Sequence, residues 1–182
     1  ITADSELLAG MVLAHVNGSA PVPCAVKSST PALGQIWEGQ GGIYAGIIRG
    51  DDGLSYHLIV SSQELRGEWG CSGKEIKGAD SRNDGLPNSK AMAAAGSQLA
   101  KDALAVTADG HEDFYLPSQC ELNLCFANAR ESFSKEWHWS STQFSSSSAW
   151  VQTFDDGGQT NGGKSSALRA RAVRRFLVNS AL

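Results

Sequence analysis

Few side chains in this 182-residue chain have the types and spacing that catalysis needs. His111, Glu112 and Asp113 are adjacent and carry acid–base groups, yet they stand directly before Phe114-Tyr115-Leu116-Pro117-Ser118, where a turn accounts for them more simply. His138 lies beside Trp139 and reads as structural for the same reason. Asp155 and Asp156 offer hard oxygens to a calcium ion, but before Gly157-Gly158 they make a polar hairpin turn. Gly39-Gln40-Gly41-Gly42 opens a strand rather than a helix, so its amides are not aimed at a phosphate. No Gly-x-Ser-x-Gly elbow, His-Glu-x-x-His pair or Gly-Lys-Ser/Thr phosphate loop occurs. The expectation is therefore a chain without catalytic residues, resident metal or cofactor.

The chemistry that remains is recognition by hydrogen bonds and aromatic contact. It gathers in the last third, where Gln143, Phe144, Ser145, Ser146, Ser147 and Ser148 link two tryptophan-bearing segments and Asp155 to Lys164 link the second to a basic closing segment. The candidate ligand-binding residues are those six together with Trp150, Gln152, Asp155, Gln159, Asn161 and Lys164. Phe144 is either core or an exposed aromatic anchor. Trp150, Gln152 and Phe154 share one face of a strand and Ala149, Val151 and Thr153 the other, and one of the two must be buried. Trp139 reads as core, and Arg171 and Arg174 as structural cations under the sheet.

The elements that must hold these groups are mostly strands. Twenty glycines, five tryptophans and a 19% charged fraction suit a turn-rich domain better than a helix bundle. Ile43 to Ile48 and Tyr56 to Val60, joined by Gly50-Asp51-Asp52-Gly53, predict a hairpin. A long loop from Cys71 to Asn88 follows. Ser89 stands as an N-cap before a stripe of Met92, Ala95, Leu99 and Ala103, predicting one helix over 90–104. Pro117-Ser118-Gln119-Cys120-Glu121 holds a capping box for a second helix that buries Leu122, Cys125, Phe126 and Ala129. Two helices between an opening hairpin and a closing antiparallel sheet make an α+β domain over 34–182.

Residues 1–33 read as an arm or connector, with an apolar run from Leu7 to Val16 and then Pro21, Pro23 and Pro31. The run is too short to span a bilayer and lacks the basic leader of a secretion signal, so no membrane insertion is expected; the opening Ile1 suggests that upstream sequence is missing. A net charge of -4 leaves no basic field for a phosphate backbone, so nucleic acid is not an expected partner. Cys24, Cys71, Cys120 and Cys125 are too irregular for a disulfide scaffold. Cys120 and Cys125 fall roughly 140° apart around a helix, so buried free thiols are expected, with two disulfides in an exported protein as the alternative.

Gly41-Gly42-Ile43-Tyr44-Ala45-Gly46, Trp69-Gly70, Leu116-Pro117-Ser118 with Glu121-Leu122, Trp139-Ser140-Ser141-Thr142, Ala149-Trp150 and Arg171-Ala172-Val173-Arg174 occur in an order that resembles the Lcl C-terminal-like domains of bacteria and phages, over about residues 34 to 178. The resemblance implies a C-type-lectin-like fold whose late sheet and loops carry the ligand surface. It also implies a receptor-binding tip of a phage tail fibre, on the virion and often a homotrimer, recognising a bacterial surface glycan or protein. The alternatives within the family are an adhesin on the bacterial cell surface that binds host polysaccharide, and a structural virion module. The Glu-Pro-Asn and Trp-Asn-Asp motifs of calcium-dependent lectins are missing, as is a Cys pair of the formylglycine-generating type.

Overall fold

The computed structural model describes residues 30–178. In chain order the elements are β1 (Ile36–Trp37), β2 (Gly42–Arg49), β3 (Ser55–Glu68), α1 (Gly85–Ala94), α2 (Gln98–Leu104), α3 (Gln119–Ala129), a 3-10 turn (Arg130–Ser132), β4 (Trp137–Gln143), β5 (Ser148–Thr153), β6 (Gln159–Gly163) and β7 (Ala167–Leu177). Among the described residues all seven strands form one sheet, ordered β1-β2-β3-β7-β4-β5-β6. Neighbours are antiparallel except β4 and β7, which run parallel through the single pair His138 and Arg169. The α+β expectation stands. The arm over 1–33, with Cys24, falls almost wholly outside the described residues.

The β2–β3 hairpin forms as its sequence predicts, with Ile48 opposite Tyr56 and Ile43 opposite Val60. β3 runs much further than Val60, through a bulge before Glu64, to pair with β7 as far as Glu68 and Ala167. The closing sheet also departs from expectation. Asp155 to Lys164 is not one polar turn but contains the edge strand β6, and β7 does not follow β5; it inserts between β3 and β4.

One expected helix is two. α1 begins earlier, capped by Asp84, whose carboxylate accepts from the Leu86 amide, and ends before Gly96 at φ +107°. Ser97 then caps α2, accepting from the Ala100 amide and donating to the Trp69 carbonyl at 2.7 Å. Ser89, expected as a cap, is buried inside α1, where it bonds both the carbonyl and the amide of Leu116. Its neighbour Ala95, expected on the buried stripe, is exposed because the chain turns there.

The capping box of α3 is present as read, and it does more than cap. Glu121 is fully buried: one carboxylate oxygen accepts from the Ser118 and Gly85 amides at 2.7 and 3.0 Å, and the other from the Tyr115 hydroxyl at 2.7 Å. The first turns of α1 and α3 thus meet on one side chain. No side chain fits at Gly85, because a Cβ there would lie 2.3 Å from the Leu116 carbonyl oxygen. Burial outweighs these donors and pushes the Glu121 carboxyl up to about 7.

Two apolar clusters lie between helices and sheet. α1 and α2 cover Trp69, Trp139, Val151 and Ala170, while α3 covers Leu58, Val60, Phe154 and Val173. Trp139 is 0% exposed, as expected of a core ring, and donates to the Gly67 carbonyl at 3.1 Å. Cys125 is buried, but Cys120 is exposed and Cys71 half-buried, so the expectation of buried thiols holds for one of these three; all three are free. Cys120 turns outward because it sits on the α3 face opposite Leu122 and Cys125.

Candidate ligand-binding face

β5 supplies the frame of the candidate site. Ala149 and Val151 point into the core against Trp139, leaving Trp150 and Gln152 on the other side, where α3 covers the distal half of the strand. Trp150 lies before that cover begins and stays half-exposed, with Asn161 of β6 directly opposite. Opposed residues share a sheet face, so Asn161 projects from the same face as Trp150.

The β4–β5 connection brings Phe144 to the same ring. Phe144 is 52% exposed and meets Trp150 edge-on, with centroids 5.2 Å apart, so it is not a core residue. Arg82, from the long loop before α1, holds its guanidinium 5.7 Å from the Trp150 centroid. Gln119, the first residue of α3, reaches the β6 end of the face, donating to the Gln159 side chain at 3.1 Å. Gln159 in turn donates to the Gln119 carbonyl and to Gln152.

The serine run is tied rather than loose. Ser145 Oγ accepts from the Ser147 and Ser148 amides and pairs with the Ser148 hydroxyl at 2.7 Å. The Ser146 carbonyl accepts from Gly73 and that of Ser147 from Lys164, so the loop is bonded to neighbours on both sides. Ser146 and Ser147 remain exposed at its tip.

Several candidates prove to be supports. Lys164 is 0% exposed: its ammonium donates to the Gln143 side chain at 2.7 Å and the Lys74 carbonyl at 2.9 Å, and lies 4.5 Å from the Trp69 centroid. Burial lowers its pKa. Gln143 also accepts from the Ile76 amide, so together they clip the 71–80 loop to β4. Gln152 is buried and spends its amide on Asn123 and the Gly157 carbonyl. Asp155 is exposed but beyond the far end of β5, roughly 20 Å along the strand from Phe144, and pairs with Lys135. Lys164, Gln143, Gln152 and Asp155 therefore leave the candidate face, as do Ser145 and Ser148, whose hydroxyls are spent on each other, while Phe144, Ser146, Ser147, Trp150, Gln159 and Asn161 remain. Arg82 and Gln119 join it. Spacing could not have shown this, because both come from segments far from the closing strands.

Of the groups that resembled catalytic or metal-binding residues, all but the exposed Glu112 have partners within the fold. Ala108-Asp109-Gly110-His111 is a tight turn with positive φ at Asp109 and Gly110. Asp113 chelates Arg174 at 2.6 and 3.2 Å. Arg171 donates to the Ser61 carbonyl, in keeping with a structural role for both arginines. His138 is buried against Phe133 and Phe154, which lowers its pKa, and its Nδ1 contacts the Glu136 carbonyl. Asp156 accepts from the Gly158 amide, as its turn position predicts. Among the described residues no three His, Cys, Asp or Glu side chains converge on one point, and no helix is long and apolar enough to cross a membrane. The chain matches no family model and no curated protein.

Proposed function

We propose that the chain is a non-enzymatic ligand-binding domain of the Lcl C-terminal-like type, with a C-type-lectin-like fold, that forms the receptor-binding tip of a phage tail fibre, most economically as a homotrimer, and recognises a bacterial surface receptor. The observation that carries this reading is the exposed Phe144–Trp150 pair, flanked by Arg82 and Asn161 on a stiff antiparallel scaffold. An exposed aromatic pair held by bonded loops loses little entropy on binding. Its place on the late sheet and its loops agrees with where the resembled family presents ligand surfaces. Many copies on one particle would convert weak single contacts into firm attachment.

Staining a panel of bacterial strains with the fluorescently labelled protein tests this directly. Strain-selective labelling is the expected result. Equal labelling of every strain, or of none, would contradict a receptor-binding tip and favour a structural virion module.

A further inference from the structure

The polar groups around the aromatic pair have unused hydrogen-bonding capacity. Among the described residues, neither the Asn161 amide nor the Arg82 guanidinium has a side-chain hydrogen-bond partner or ion pair; the Arg82 guanidinium faces the Trp150 ring and its charge reaches the Cys120 thiol. Both are planar groups with adjacent donors, and both stand at the margin of an apolar surface only two rings wide. Gln159 extends the margin with an amide already oriented by Gln119 and Gln152. The serine loop adds the exposed Ser146 hydroxyl.

We infer that this face is a metal-independent saccharide subsite: the apolar side of a pyranose packs in the corner between the perpendicular Phe144 and Trp150 rings, while vicinal hydroxyls bond Arg82 and Asn161. The surroundings favour a sugar over a protein. Of the large exposed apolar side chains among the described residues, only Phe144 lies here; Leu33, Ile36, Ile47, Leu54 and Leu177 belong to the other half of the sheet and its loops, and Trp137 to the opposite end of β4. A stable protein interface needs about 800 Å² per partner around an apolar centre, and this centre is an island in amides and serines. A pyranose has the matching pattern of one apolar face and a polar perimeter. The orienting groups are side chains without a carboxylate among them, so binding needs no bridging cation.

This inference rests on the receptor-binding reading, and its test separates the two. The probe is the surface polysaccharide extracted from a strain that the protein stains, titrated against the full chain with and without EDTA. Saturable binding that survives EDTA is expected. Arg82→Ala and Asn161→Ala should each weaken it roughly tenfold, the worth of about one hydrogen bond. Trp150→Phe should retain binding and Trp150→Ala lose it. Loss of binding in EDTA would overturn the inference, as would no binding of the polysaccharide when protease treatment of the cells abolishes staining. In both cases the receptor-binding reading would survive. A protein that stains no strain would end both.

Discussion

At Lys164 a long polar side chain in a glycine-rich turn ends not in solvent but over the face of Trp69, with two carbonyl oxygens as its acceptors. Removing it would strand the Lys74 carbonyl oxygen, leave the Gln143 oxygen with the Ile76 amide alone and open a void beside Trp69. Lys164→Ala should therefore cost about 2 to 4 kcal/mol, read as a fall in the urea midpoint. Phe144→Ala, in contrast, removes a half-exposed ring and should stay within about 0.5 kcal/mol. Similar losses for the two would contradict the division into support and display. Trp139→Ala, at a fully buried ring, should cost about 3 to 5 kcal/mol and mark the upper end of the scale.

At the scale of elements, the meeting of α1 and α3 on Glu121 ties stability to pH. Its carboxyl is raised from the ordinary carboxylate range to about 7 in the folded chain, so the fold holds a proton that the unfolded chain releases. The contribution is full below about pH 4.5 and is lost as pH rises through 7, by an amount on the order of 3 kcal/mol. Urea midpoints between pH 4.5 and 8 should fall for the native sequence, and this fall should flatten in Glu121→Gln. The hairpin between β5 and β6 depends on a different constraint. Gly157 has φ +86°, and a Cβ there would lie 2.4 Å from the Phe126 ring, so Gly157→Ala should destabilise by about 2 to 4 kcal/mol. An unchanged melting temperature would show that the Phe126 ring can move away freely.

Local signals in these elements were legible where chemistry is local. Ser118 and Glu121 announce their helix through reciprocal bonds three residues apart, and the Gly50 to Gly53 turn announces its hairpin. The break at Gly96-Ser97 carried an equally local signal, a C-terminal glycine followed by an N-capping serine, but the apolar stripe masked it. β7 is different in kind. Nothing in Arg169 to Phe176 says that it pairs with β3 and β4, because a strand's neighbours depend on chain closure across a hundred residues.

For the whole molecule the same contrast applies to the candidate site. Phe144, Trp150 and Asn161 were readable because they fall within the consecutive strands β4, β5 and β6 and their connections, whereas Arg82 arrives from a loop and Gln119 from a helix start that only the folded chain brings alongside. Lys164 and Gln152 could not be told from display residues by type, since burial is a property of the assembled sheet. The exposed apolar side chains Leu33, Ile36 and Ile47 belong to β1, β2 and the segment before them, at the opposite side of the sheet from the candidate face.

The most direct test of the central claim is staining of a receptive strain by the native protein and by Phe144→Ala/Trp150→Ala/Asn161→Ala, with melting temperatures measured on the same preparations. Loss of staining with a melting temperature within a few degrees of native is the predicted result. Undiminished staining by the folded triple variant would place recognition elsewhere and contradict the account.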